Sequence, residues 1–241
     1  MQIVKSINYQ ELSSKATDTV VSMMGMYSNP LICVASGDSP AGIYKAISDK
    51  VIAKTLNIDH WCFLGLDEWL GLNGNDHGSC RYHLDQQLFN TLKLTSERLH
   101  FFDGATENIA QECAMNEQFI DRFGGIQVAI LGLGLNGHIG MNEPYTSINT
   151  RSHLSNLDPL TIAVGQKYFN KPQPLSQGLT LGLANLLEAK NVILVVSGLK
   201  KAAIVKEIVE GPISEAIPGS LLRNHPNYVL FLDEEAASLL S

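Results

Sequence analysis

The chain has 241 residues, 45% apolar and 17% charged, and its 24 acidic side chains against 17 lysines and arginines leave a net charge of −7. This is the composition of a chain that buries a core, and at this length a domain buries roughly 70–75% of its unfolded surface without a disulfide or metal staple. The acidic balance excludes a general nucleic-acid or anionic-membrane binder, which needs a basic face, but leaves room for a small anionic substrate. Cys33, Cys62, Cys80 and Cys113 form no C-x-x-C pair, and Cys33 and Cys62 lie in apolar runs and read as buried thiols. The opening stretch MQIVKSINYQELSSK has no apolar signal core, and no apolar run reaches the ~18 residues of a membrane span, so a soluble, cytoplasmic, reduced protein is expected.

In chain order the pattern predicts a strand at Gln2–Val4, a helix at Tyr9–Tyr27, a strand at Leu31–Ala35 and a helix at Ala41–Lys54. Strands follow at Cys62–Leu66 and Leu99–Phe102, a helix at Asn108–Arg122, a strand at Val128–Leu133 and a short strand at Leu160–Ala163. The remainder reads as a helix at Thr180–Glu188, a strand at Val192–Val196, a helix at Lys200–Glu210, a strand at Tyr228–Leu232 and a helix at Glu234–Leu240. Runs such as VAILGL and VILVV do not alternate in and out. They suit strands covered on both faces, and their alternation with helices predicts right-handed crossovers and a mostly parallel sheet. No linker divides the chain. The expectation is one doubly wound α/β domain, a modified Rossmann-like fold, over residues 1–241.

In such a sheet ligands bind beyond the carboxyl ends of the strands. Four segments there carry chemistry. The first, Ser36-Gly37-Asp38-Ser39-Pro40-Ala41-Gly42, combines small residues, hydroxyls and a helix N-terminus, which is a phosphate cradle in outline. It lacks the G-K-[ST] ending of a Walker loop, and a tight turn with Ser39 as N-cap would look the same. The second, Asp67-Glu68-Trp69, sets two carboxylates at the mouth of a buried strand, as a helix cap or as a general base raised by desolvation. The third, Gly134-Leu135-Asn136-Gly137-His138-Ile139-Gly140-Met141-Asn142-Glu143-Pro144, gathers glycines around one imidazole and a carboxylate five residues on, able to orient it. The fourth, Ser197-Gly198-Leu199-Lys200-Lys201, opens a helix with lysines, unfavourably for the dipole unless something negative lies nearby. Together these segments suggest proton shuttling on a small phosphorylated molecule, with no metal or cofactor.

The segments ASGDSPAGIYKAI, LGLDEWLGL, ILGLGLNGHIGMNEP, GLTLGLANLLEAKNVILVVSGLKKA and SEAIPGSLLRNHPN give the chain a resemblance to the glucosamine-6-phosphate deaminase family. That family's relatives include galactosamine-6-phosphate deaminase/isomerase and, further off, 6-phosphogluconolactonase. The resemblance runs from Leu31 to about Asp233, and its G-H-I-x-x-N-E-P element favours the amino-sugar deaminases over the lactonases. It implies ring opening of a 2-amino-2-deoxyhexose 6-phosphate, aldose–ketose isomerisation and loss of ammonia. It also implies roles: His138 in ring opening, Glu143 as its partner, Asp67 as the base between C2 and C1, Ser36, Gly37, Asp38 and Ser39 as phosphate loop, and Lys201 as phosphate lysine. The family's phosphate arginine has no arginine opposite it, and Lys167 in YFNKPQP is the candidate in its stretch.

Two departures matter. Asn136 stands where glucosamine-type enzymes read Asp, and an amide cannot take a proton. With the segment His153–Asp158 and the stretch at Ala216–Leu221, this resembles the galactosamine-6-phosphate branch, so a galacto-configured substrate is expected. The chain also stops soon after its last strand, which implies a smaller homo-oligomer or a monomer without hexamer-based control. His77, His83 and Cys80 lack the further ligand of a zinc site, and Ser79 and Arg81 are expected on a mobile segment over the pocket. A lactonase-type hydrolase and a non-catalytic sugar-phosphate sensor are the competing readings; the sensor would normally carry a basic DNA-binding element, and none is found.

Overall fold

The computed structural model describes residues 1–241. Its strands are β1 (Gln2–Ser6), β2 (Leu31–Val34), β3 (Cys62–Gly65), β4 (Asp67–Trp69), β5 (Leu99–His100), β6 (Val128–Gly132), β7 (His153–Asn156), β8 (Gln177–Thr180), β9 (Val192–Val196) and β10 (Tyr228–Asp233). Its helices are α1 (Tyr9–Met24), α2 (Asp38–Ile52), α3 (Cys80–Leu84), α4 (Asn90–Leu92), α5 (Ile109–Arg122), α6 (Pro159–Gly165), α7 (Leu183–Leu187), α8 (Ala202–Glu210) and α9 (Pro218–Leu221).

Seven strands form one sheet in the order β1-β10-β9-β6-β2-β3-β5, and every pairing in it is parallel. The unbroken apolar runs are explained by this burial. Alternate residues of each strand enter opposite layers, so Cys33, Leu64, Ala129, Leu131 and Leu194 pack toward α5 and α8, while Ile32, Val34, Phe63, Ile130 and Ile193 pack toward α1 and α2. Cys33 and Cys62 are buried free thiols, as expected, and so is Cys80. The chain starts on the edge strand β1, crosses to β2 and runs outward through β3 to β5, then returns to the other side of β2 at β6 and continues through β9 to β10, which lies between β9 and β1. The β2/β6 boundary is therefore the switch point at which such sheets open a crevice. No helix is long and apolar enough to cross a membrane.

Three expectations are corrected. Leu160–Ala163 is not a strand but part of α6, because Asp158 caps the Leu160 N–H at 2.7 Å and Pro159 occupies the first turn, signals that outweigh the β-branched run. The helix placed over Thr180–Glu188 is split into the end of β8 and the short α7. Glu234–Leu240 forms successive turns in place of a helix. The pattern also missed a second sheet, β4-β8-β7, in which β8 pairs antiparallel with both neighbours. Its strands have only three or four residues each and are polar, DEW, HLSN and QGLT, so they carry no apolar run to find.

Candidate active site

A cavity of about 650 Å³ opens over the switch point. It is lined by residues following β2 (Ser36–Pro40), β6 (Leu133–Asn136 and His138) and β9 (Ser197–Lys201), by Asp67 on β4, and by Thr161 and Lys167 from α6 and the turn after it. All four chemically loaded segments meet there.

The anion loop begins as predicted, but α2 starts at Asp38, three residues earlier than read, with Gly37 as its N-cap. Gly37 has φ +116°, a conformation that glycine adopts without strain. The Asp38 and Ser39 N–H groups have no acceptor in the protein, as at any helix start without a side-chain cap. The Asp38 carboxylate is exposed and bonded to Lys167 Nζ at 2.6 Å. Burial works against the Lys167 charge, yet that bond leaves its pKa raised overall. Lys201 reaches the cavity from the start of α8 and donates to the Leu133 carbonyl. Burial, and then repulsion from Lys167, push Lys201 down to about 8. The turn before Lys201 is held by two carboxylates: Asp233 accepts the Gly198 N–H at 3.0 Å and Glu235 the Leu199 N–H at 3.2 Å.

Strand alternation separates the two carboxylates of the Asp-Glu pair. Asp67 lines the cavity. Burial pushes its pKa up to about 6, against a hydrogen bond from Cys80 and the nearby His138. Glu68 points the other way, into the fold, and is 1% exposed. It accepts the backbone N–H groups of Trp69 at 2.9 Å, Cys80 at 2.8 Å and Arg81 at 3.0 Å, so it fixes the start of α3. Burial raises it to about 7 in spite of these bonds. The second carboxylate of the motif is thus a structural clamp.

In the glycine-rich loop, His138 Nδ1 lies 3.0 Å from Thr161 Oγ1 and 3.4 Å from Glu143 Oε2. Burial opposes ionisation of Glu143, but hydrogen bonds from His138, Thr161 and Asn136 hold its carboxyl below the usual range. An ionised partner places the imidazole proton on Nδ1 and leaves Nε2 as the basic nitrogen. Asn136 donates to Glu143 Oε2 at 2.9 Å and accepts the His138 backbone N–H at 3.2 Å. It therefore braces both members of the pair without touching the ring itself. The ring lies so close over Gly134 that a Cβ there would stand 2.4 Å from it.

Sequence reasoning missed Thr161, because its segment was read as sheet, and Trp69, Cys80 and Tyr168, which also border the cavity. Ser79 and Arg81 do not line it: Ser79 caps α3 by accepting the Tyr82 N–H at 2.9 Å, and Arg81 lies 2.7 Å from Asp85 and 3.9 Å from the Phe101 ring centroid.

A family model described as glucosamine-6-phosphate isomerases/6-phosphogluconolactonase matches residues 8–231. The chain belongs to this family. Among curated family members, a glucosamine-6-phosphate deaminase of Thermoanaerobacter pseudethanolicus is 32% identical over all of this chain and 95% of its own length. One from Alkaliphilus metalliredigens is 34% identical over the full length of both. The solved structure of a monomeric glucosamine-6-phosphate deaminase of the NagB superfamily superposes with a TM-score of 0.95 at 30% identity, covering 99% of this chain and 100% of that one. A 6-phosphogluconolactonase from Trypanosoma brucei shares the fold, at a TM-score of 0.77 and 19% identity over 100% of this chain and 98% of its own.

Proposed function

We propose that this family member is an amino-sugar-phosphate deaminase that converts glucosamine 6-phosphate to a ketose 6-phosphate and ammonia. The observation that carries the reading is a half-buried carboxyl, Asp67, facing the same cavity as an oriented histidine–carboxylate pair and an anion loop. A hydrolase acting on a lactone needs one base for water and leaves Asp67 without a task. All of these residues come from one chain.

The phosphate rests on the Asp38 and Ser39 N–H groups, the Ser36 and Ser39 hydroxyls, Lys201 and Lys167. Its charge competes with Asp38 for Lys167, an exchange made easy by the exposure of that ion pair. His138 Nε2 takes the proton of the anomeric hydroxyl and returns one to the ring oxygen, which opens the ring. Glu143 stabilises the imidazolium formed in between. Asp67 then removes the C2 proton while the substrate's C2 ammonium gives one of its protons to the C1 oxygen, forming a C1–C2 enolamine; Asp67 returns its proton to C1, leaving an iminium at C2. Water adds there and ammonia departs, so the sum is sugar phosphate plus water giving ketose phosphate plus ammonia. Asp67 must be ionised to start this cycle, and its raised pKa matches a group that both takes and returns a proton near neutrality.

The relatives found are named for the gluco sugar, and they give the galacto expectation no support. A galacto substrate stays as a second reading on Asn136 and the Ala216–Leu221 stretch. The deciding experiment is ammonia release from glucosamine 6-phosphate and galactosamine 6-phosphate in parallel, with chelator present. Release from the gluco sugar is expected. Release from the galacto sugar alone transfers the assignment to the second reading, and release from neither overturns the reaction.

Lys201→Ala is expected to weaken inorganic phosphate binding, measured by calorimetry, by about 1.5–3 kcal/mol, the usual worth of a charge-assisted hydrogen bond. Unchanged affinity would remove Lys201 from the phosphate site.

A further inference from the structure

One contact reaches the anion loop from outside the cavity. Gln87 lies in the π turn Asp85–Phe89 that joins α3 to α4. It donates from Nε2 to the Gly37 carbonyl at 3.2 Å, and it is absent from the cavity wall. Its amide oxygen is buried with no hydrogen-bond partner. An unsatisfied buried acceptor is unfavourable, and π turns within helices occur frequently at functional sites.

The bond acts through the geometry of one peptide. The Gly37–Asp38 peptide is trans, and in a trans peptide the carbonyl and the following N–H point in opposite directions. A carbonyl pinned outward by Gln87 therefore turns the Asp38 N–H inward, toward the cavity that Gly37 and Asp38 line. The next carbonyl is anchored as well: Tyr9 Oη donates to Asp38 O at 2.7 Å and accepts the Gly42 N–H at 2.7 Å. Two side chains from different elements thus hold successive loop carbonyls, and the Asp38 and Ser39 N–H groups remain free for a ligand.

We propose that Gln87 is a positioning residue for substrate phosphate, fixing the Gly37–Asp38 peptide so that the Asp38 N–H donates to a phosphate oxygen. The proposal rests on the reading of Ser36–Ser39 as the phosphate cradle. Gln87 touches no reacting atom, so its loss affects phosphate affinity and leaves the proton-transfer steps alone.

The test compares wild type with Gln87→Met, which keeps the chain length but has no donor, and with Gln87→Glu, whose ionised carboxylate cannot donate and repels the Gly37 carbonyl. Inorganic phosphate is titrated while the backbone amide resonances of Asp38 and Ser39 are followed, and KM and kcat are measured with the amino-sugar phosphate. In wild type both amides are expected to move with phosphate. In Gln87→Met the Asp38 response should shrink, phosphate affinity should fall about tenfold with a matching rise in KM, and kcat should stay within about twofold. If Gln87→Met does not fold, Gln87→Glu is read in its place, with an equal or larger loss expected. Wild-type phosphate affinity and an unchanged Asp38 response in a folded variant overturn the assignment. Loop amides that ignore phosphate in wild type overturn the cradle reading itself, and the Gln87 role falls with it.

Discussion

Asp67→Asn is expected to lower kcat by about 10²–10⁴-fold, the range for losing a general acid–base group, while sugar-phosphate binding is kept. The amide has the carboxylate's shape but accepts no proton, and Asp67 belongs to β4 whereas the proposed phosphate groups belong to the β2 loop, the turn after α6 and the start of α8. The pH dependence follows from the same side chains. Burial pushes Asp67 up to about 6, and in the proposed role it works only ionised, so kcat/KM is expected to rise as pH passes upward through about 6. Burial and the nearby Lys167 push Lys201 down to about 8, and in the proposed role it holds phosphate only when charged, so kcat/KM is expected to fall as pH passes above about 8. Residual activity in Asp67→Asn should lose the acid limb and keep the alkaline one. An unchanged kcat with the acid limb intact would remove Asp67 from the proton-transfer step.

The second large effect needs only a methyl group. In Gly134→Ala the added Cβ would lie 2.4 Å from the His138 ring, inside contact distance, so the ring must move. Glu143 is 6% exposed and braced by Asn136 at 2.9 Å, which leaves it little freedom to follow. Misplacing a catalytic group by about 1 Å can cost on the order of 10²-fold in rate, and a loss of that size is expected here with phosphate affinity unchanged. The loss should be concentrated in ring opening. Turnover of an open-chain analogue, compared with the ring-closed sugar in the same variant, reads this directly: equal losses on both would mean that the ring serves some other step.

The legibility of this protein divides along physical lines. The parallel sheet was readable because strands covered on both faces must be apolar throughout, and VAILGL and VILVV are such runs. The loops that carry chemistry were readable because their place just after those strands follows from the sheet, and because glycines crowd around a single histidine. What sequence could not resolve was anything settled by contact between distant segments. The three short strands of the second sheet carry too few apolar residues to announce themselves, and they exist because β8 finds both β4 and β7. The Asp-Glu pair is chemically symmetric on paper. Only the pairing of β4 with β8 turns Asp67 to the cavity and Glu68 to three backbone N–H groups. Thr161 joined His138 only once Asp158 and Pro159 had started a helix where β-branched residues suggested a strand. Gln87 had no local signal at all, because its meaning lies in the direction of one peptide fifty residues earlier in the chain. By itself the sequence determined the parallel sheet with its flanking helices, the cavity-forming loops and the kinds of group within them, since burial and turn chemistry are local demands on residue type. The tertiary structure alone decided which carboxylate faces the cavity, what holds the imidazole proton and which way the loop N–H groups point, since orientation depends on partners far apart in the chain.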